Sequence, residues 1–293
     1  MITQEQRTAR QQYAGSSDAP AICGVDQYKS AWDVWAEKTG RAAPWEGNEA
    51  TDAGTALERV VLDWAVSRVG GKFARDIMKV SGLIAANFDG LGESFTVEAK
   101  TTGITGPPDP AFGNDVLEGS MEDVSLPDRV KIQCVHQFAV AGPQVRVAWV
   151  PVLIGGAGFR MYRLDRDDAL VDVVAEKCIH FMTHHVKLGI EPSDSKPSLE
   201  VLRRIRRQPN KTISIGKSLI DDLVVFRSAA KKASDDKEAA EARVVMALGD
   251  AEAGEDGTGR TLTFFEQKRK SYEVKEASFR VLRVRAPKEA SNA

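Results

Sequence analysis

Several things are missing from this 293-residue sequence, and each absence removes a class of protein. No stretch approaches 18 consecutive apolar residues, so nothing reads as a membrane-spanning helix. The opening residues, MITQEQRTARQQY, hold no apolar run of the kind that marks a secretory leader, and a cytoplasmic location is expected. Cysteine is scarce. Cys23, Cys134 and Cys178 are far apart, odd in number and without CxxC spacing, which argues against a zinc site, a four-cysteine iron–sulfur cluster or a disulfide framework. No phosphate loop of the form GxxxxGK[ST] occurs, so the chain should not hydrolyse ATP itself. Gly155, Gly156 and Gly158 read instead as a tight turn between strands. The string HFMTHH puts His180, His184 and His185 on a helix, but there is no HExxH and no acidic partner, so these read as helix surface. A basic excess is missing too: Lys and Arg number 40 against 42 Asp and Glu. Nucleic-acid binders are often basic. The balance excludes little here, because metal-binding carboxylates would offset phosphate-binding side chains.

What is present is ordinary for a globular protein, with 42% hydrophobic and 28% charged residues, and the length allows a sizeable core. Residues 15–26 look like a tight turn leading into a short helix, with Ser17 or Asp18 as its N-cap. A second short helix is expected over 31–39, with Trp32 and Trp35 on one face. Residues 55–69 read as an amphipathic helix built on Leu57, Val60, Val61, Trp64 and Ala65, stopped by Gly70-Gly71. Strand residues follow over 77–88 and 94–100, with Asp89-Gly90 between them as a turn signal. Residues 103–127 form a long loop rich in Gly, Pro and Asp. A helix should span Asp128 to Ala141, ended by Gly142-Pro143. Strands at 145–154 and 158–164 and a helix from Asp167 to Leu188 complete a mixed α/β unit.

The stretch 189–198 has linker composition. Residues 217–248 are helical, as one helix or a helix pair, with Leu219, Leu223, Phe226, Ala230, Ala233, Ala240, Val244 and Leu248 at spacings near 3.5 or its multiples, and two short strands follow near 261–266 and 278–285. The division expected is a core over residues 1–190 and an appendage over 191–293, either a DNA clamp or an oligomer or partner contact.

The chemistry is concentrated in Asp89 and in Glu98-Ala99-Lys100. Glu98 and Lys100 are two apart on a strand and so share a face, and strand pairing can bring Asp89 beside them. Two carboxylates and an ammonium at one spot suit phosphodiester hydrolysis. A hard cation such as Mg²⁺ takes carboxylate oxygens and activates water, while a lysine can orient that water or stabilise the transition state. The backbone carbonyl of Ala99 is a further possible ligand. Taken alone, this string is also what a solvated Glu-Lys strand face looks like. Glu58, beside the apolar stripe of its helix, and Gln133, among Ile132, Cys134 and Phe138, add weight: an acidic group near a packed face is costly unless paired or metal-bound.

Four segments resemble the YqaJ-like phage recombination nucleases, the group that includes the lambda-type alkaline exonuclease, within the PD-(D/E)XK superfamily. They are GSSDAPAICGV (15–25), GTALE (54–58), FDG with VEAKT (88–101) and KIQCVHQFAVAG (131–142), in the family's order and covering about residues 8–188. The resemblance implies an α/β, restriction-endonuclease-like core with a mixed central sheet flanked by helices, plus a C-terminal helical and β-hairpin appendage. It implies a Mg²⁺-dependent exodeoxyribonuclease, with two ions and Mn²⁺ as a substitute, that digests one strand of duplex DNA 5′→3′ and processively. By position, Asp89, Glu98, Glu58 and the Ala99 carbonyl would hold metal, and Lys100, Glu98, Gln133 and Glu58 would form the catalytic set. Arg10, Ser17 and Lys131 would bind the 5′-phosphate and DNA. A homotrimeric ring and a single-strand annealing partner, in the cytoplasm of a bacterial host, are also implied. A structure-specific or repair endonuclease on the same fold (Cas4-like), or a catalytically inactive DNA-binding protein, are the alternatives. The basic run Arg203, Arg204, Arg206 and Arg207 suits either phosphate contact or a solvated helix face.

Overall fold

The computed structural model describes residues 11–43, 45–113 and 124–264. It divides into two compact units, the first ending at Arg207 and the second starting at Gln208.

The first unit is a mixed α/β fold around a seven-stranded sheet. The strands are β1 (Ala14–Gly15), β2 (Ala74–Ser81), β3 (Ile84–Leu91), β4 (Phe95–Val97), β5 (Lys100–Thr102), β6 (Val147–Ile154) and β7 (Gly158–Asp165). β2 and β3 form an antiparallel hairpin, β3 pairs antiparallel with β4, and β4 and β5 both run parallel to β6, whose other edge carries β7. The turn expected at Asp89-Gly90 is not there. Chain reversal occurs at Gly82, whose φ of 62° suits glycine, and β3 runs straight through Asp89 and Gly90. The single strand expected over 94–100 is split into β4 and β5. Glu98 N–H donates to the Trp149 carbonyl at 2.9 Å, but the next rung would need an N–H from Pro151, which has none.

The helices are α1 (Ala19–Cys23), α2 (Ala31–Lys38), α3 (Glu49–Val66), α4 (Asp128–Ala141), α5 (Asp168–His180) and α6 (Leu199–Arg204). α5 continues as a π-helical turn over Phe181–Lys187. α3 begins six residues earlier than its apolar stripe announces. Asn48 and Thr51 form a reciprocal cap there, which starts the helix without any buried face. It ends at Val66, ahead of Gly70-Gly71.

The sheet is covered on both faces. Leu62 and Ala65 of α3 pack with Val97 and Met161 on one side, where Trp64 also stacks on Phe159 at 4.8 Å. Val130, Cys134 and Phe138 of α4 pack with Ala148, Val150 and Val152 on the other, joined by α1, α2 and α5. The 189–198 stretch is no free linker. Ser195 Oγ accepts from Trp32 N–H at 3.1 Å, Glu191 accepts from the Trp32 indole, and Asp33 accepts from Ser198 N–H at 2.9 Å. Val201 is fully buried and Ile205 bridges to Ala42. Residues 191–207 therefore strap the core, and the compact unit ends at Arg207 rather than near 190.

The second unit contains α7 (Lys217–Leu248), 32 residues long and with no buried residue, carrying Lys217–Asp221 and Lys237–Glu241 pairs at 2.6 and 3.1 Å. A hairpin of β8 (Ala253–Glu255) and β9 (Thr261–Thr263) follows. The strand expected at 278–285 lies outside the described residues. Among the described residues no helix is long and apolar enough to cross a membrane.

Candidate active site

Register alone sets up the site. In the hairpin, Arg75 faces Gly90 and Ile77 faces Phe88, so Asp76 stands opposite Asp89. On the other edge of β3, Leu91 faces Thr96 and Gly90 faces Val97, which carries Asp89 opposite Glu98. Asp89 does not continue the ladder with its backbone. Its Oδ2 accepts from Ala99 N–H at 2.8 Å, fixing the carboxylate against the Glu98-Ala99 break. An approach this close needs the glycine beside it: a Cβ on Gly90 would stand 2.6 Å from Phe73 Cδ2 and 2.9 Å from Val97 Cβ.

Glu98 is 3% exposed and surrounded by donors. Lys100 Nζ and Gln133 Nε2 (2.6 Å) both reach Oε1, and Gln137 Nε2 reaches Oε2. Lys100 Nζ also donates to Gln133 Oε1 at 3.1 Å. A buried carboxylate requires such partners. Burial works against the Lys100 charge, but Glu98 and Asp89 outweigh it and hold the ammonium above the usual lysine range. Asp89 has the opposite difficulty. Burial, then repulsion from Glu98, pushes its carboxyl well above the usual aspartate range, opposed by Lys100. Half-buried Glu58, on α3, is pushed up by burial and then by Asp76 and Glu98.

The structure thus brings together Glu58, Asp89, Glu98, Lys100 and Gln133. It adds two residues that the sequence reading did not single out. Gln137 lies one helical turn beyond Gln133, a spacing that could have flagged it. Asp76 has φ of 55° within β2, and only the strand register reveals it.

Four carboxylates (buried Glu98, half-buried Asp89 and Glu58, and exposed Asp76) against one ammonium leave a local excess of acidic groups of the kind a divalent cation relieves. The donor set is hard oxygen throughout, which suits Mg²⁺ or Mn²⁺. Among the described residues no three such side chains already close around one point, and both Glu98 oxygens are engaged by donors. Loading would therefore re-aim Glu98 or its partners.

Ser17 lines a cavity of about 240 Å³ together with Lys100, Thr101, Gln133, Tyr28 and Arg129. Asp18 occupies the N-cap of α1 without a side-chain bond to the helix. Instead it accepts from Gly15 N–H at 3.1 Å and pairs with Lys38 (2.8 Å) and Lys29 (3.3 Å). Burial alone would raise its pKa, yet the two lysines hold it well below the usual range. Lys131 pairs with Asp128 at 3.9 Å and is not among the cavity's lining. Arg10 lies outside the described residues. Arg204 is tied to Glu37 and to the Ala43 carbonyl, both at 2.8 Å, so that member of the basic run braces the strap. The rings of His180, His184 and His185 lie 5.0–6.1 Å apart, and His185 Nδ1 meets the Ile190 carbonyl at 2.9 Å.

Residues 6–144 match the family described as YqaJ-like viral recombinase domain. A curated relative, the uncharacterized protein YqaJ of Bacillus subtilis (strain 168), is 28% identical over 259 residues, spanning 84% of this chain and 78% of the relative. Two solved exonucleases show low similarity. LHK-Exo of Laribacter hongkongensis, in complex with dAMP, is 18% identical over 62% of this chain and 91% of its own, with a TM-score of 0.44. A phage related exonuclease from Haemophilus somnus 129PT is 13% identical over 60% and 94%, with a TM-score of 0.45. The GTALE, FDG and VEAKT segments that build the carboxylate–lysine cluster all fall inside the matched span, so the part of the chain that resembles the YqaJ-like viral recombinase domain is the part that holds the candidate site.

Proposed function

We propose that the chain is a Mg²⁺-dependent exonuclease that degrades one strand of duplex DNA in the 5′→3′ direction. The observation that carries this reading is the convergence of Asp89, Glu98 and Lys100, with Glu58 and Gln133, around one acidic spot beside an open cavity.

Asp89, Glu98, Glu58 and the Ala99 carbonyl would hold the cation, which supplies water activation and charge neutralisation at the phosphate when bound. The chain's own residues do the positioning. Lys100 is kept charged by Glu98 and Asp89 and points an N–H donor where negative charge develops on the phosphoryl oxygens. Gln133 fixes Lys100 through its carbonyl and Glu98 through its amide, so both ends of the catalytic pair share one brace. Gln137 holds the far Glu98 oxygen. Ser17 lines the cavity and would present its hydroxyl to a 5′-phosphate, with Arg10 and Lys131 as further phosphate contacts. The same reading extends to a homotrimeric ring around DNA, for processive digestion, and to a single-strand annealing protein as partner.

The test is digestion of linear and closed circular duplex DNA with Mg²⁺, Mn²⁺ or EDTA, on ends carrying 5′-phosphate or 5′-hydroxyl. Loss of linear DNA alone, faster from 5′-phosphate and stopped by EDTA, is expected, and Arg10→Ala should erase the end preference. Cutting of the circle moves the reading to an endonuclease. No cutting in any condition refutes the enzyme. The solution mass of the chain tests the trimer.

A further inference from the structure

The cavity beside Lys100 and Gln133 contains two side chains that the chemistry above does not use. Tyr28 lies between α1 and α2 and is 67% exposed. Single exposed aromatics are common, but this one is held in place. Its backbone N–H donates to Asp26 Oδ1 at 2.8 Å, a local turn that fixes the backbone. Arg129, one turn before Gln133 on α4, sets its guanidinium 5.4 Å from the ring centroid. Arg129 is anchored in turn: Nη1 donates to Asp109 Oδ2 at 2.9 Å, and Asp109 N–H donates to Thr102 Oγ1 at 2.8 Å. A chain of contacts therefore runs from β5, which begins with Lys100, through Asp109 and Arg129 to the Tyr28 ring.

The cavity of about 240 Å³ lies below the range of drug-sized ligand sites, so it excludes a duplex and would seat only part of one nucleotide, with the remainder over the exposed Tyr28 ring. An open aromatic face stacks any base, because every base has a π-face. Such tolerance is what an enzyme needs if each base in turn must enter the same seat. The guanidinium carries five N–H groups, and the bond to Asp109 uses one. We propose that Tyr28 is the stacking platform for the base of the terminal nucleotide, and that Arg129 steadies the ring and offers its remaining N–H groups to that nucleotide's phosphate. This deepens the exonuclease reading and rests on it.

The test measures binding by calorimetry on the full chain, with deoxyadenosine and deoxycytidine 5′-monophosphates against deoxyribose 5-phosphate, which lacks a base. Both nucleotides should bind about tenfold more tightly than the sugar phosphate and within a few-fold of each other. Tyr28→Ala should remove that preference and Tyr28→Trp should keep it, with the melting temperature unchanged in both because the side chain is mostly exposed. A preference that survives Tyr28→Ala, or no preference in the unaltered chain, overturns the assignment. DNA digestion is read separately. A chain that digests duplex ends without base-dependent binding loses the stacking platform alone, and one with Tyr28-dependent binding but no digestion keeps the platform and loses the exonuclease.

Discussion

Gly90→Ala is the sharpest perturbation of the site that touches none of its functional groups. The added methyl would meet Phe73 Cδ2 at 2.6 Å and Val97 Cβ at 2.9 Å, whereas carbon atoms rest at about 3.5–4.0 Å. Roughly 1 Å of separation is needed. Val97 lies directly across from Gly90, next in chain to Glu98, so the strain falls on the spacing between β3 and β4. Overpacking of this kind costs about 1–3 kcal/mol, or a melting temperature lower by about 2–12 °C in a domain of this size. The same shift moves Asp89 against Glu98, and a misplacement of about 1 Å costs on the order of 10²-fold in rate. Thermal unfolding and digestion of linear duplex would be measured side by side. Adding Phe73→Ala opens the nearest obstruction, so the double variant should regain part of the rate while remaining less stable. Gly90→Ala at full rate would falsify the claim that β3–β4 spacing sets the site.

Three further outcomes are expected. Asp89→Asn should abolish digestion, yet raise the melting temperature in EDTA. Burial and Glu98 hold the Asp89 carboxyl well above its usual range, so at neutral pH the ionised form is a cost to the fold that the amide avoids; a lower melting temperature in EDTA refutes this. Lys100→Met should lower the digestion rate by about 10²–10³-fold, and Lys100→Arg should not restore it, because a fork cannot reproduce a point donor placed between Glu98 and Gln133; full activity in either variant sinks the assignment. His136 is fully buried, and burial pushes its pKa down from 6.5 to about 4. The unfolded chain therefore takes up a proton that the fold refuses, so this share of stability is intact above pH 6.5, falls as pH drops toward 4, and is worth at most about 3 kcal/mol. His136→Gln should flatten urea-derived stability across that window, and an unchanged slope there excludes His136 as the source.

The elements that could be read from local pattern were those with local stop signals. α4 begins and ends where Pro127 and Gly142 place it, and α7 spans the expected 217–248. What failed depended on partners distant in sequence. Asp89-Gly90 resembles a hairpin turn, yet Gly82 makes the turn, and only the pairing of β3 with β2 and β4 shows why a glycine is needed at 90. Residues 189–198 have linker composition, but their polar atoms are spent on Trp32 and Asp33, more than 150 positions earlier. Within the site, Glu98 and Lys100 were legible because period-two spacing puts them on one face. Asp76 was not, since its approach to Asp89 and Glu58 exists only in the register of an antiparallel pair. Gln137 and Arg129 were legible in principle, each one turn from Gln133. A polar residue on a helix has many uses, so spacing alone does not separate these two from ordinary helix surface.

Pro151 gives the sheet a fault line, and its position has a cost and a use. An ordinary residue there would close the rung to Glu98 and make β4 and β5 one continuous strand. With proline the central sheet is least cohesive where its carboxylates gather, so local order at this point rests on side chains, and on whatever charge enters among them. Pro151→Ala should give a tighter but poorer catalyst, because the backbone would then settle a geometry that the site needs to adjust on loading.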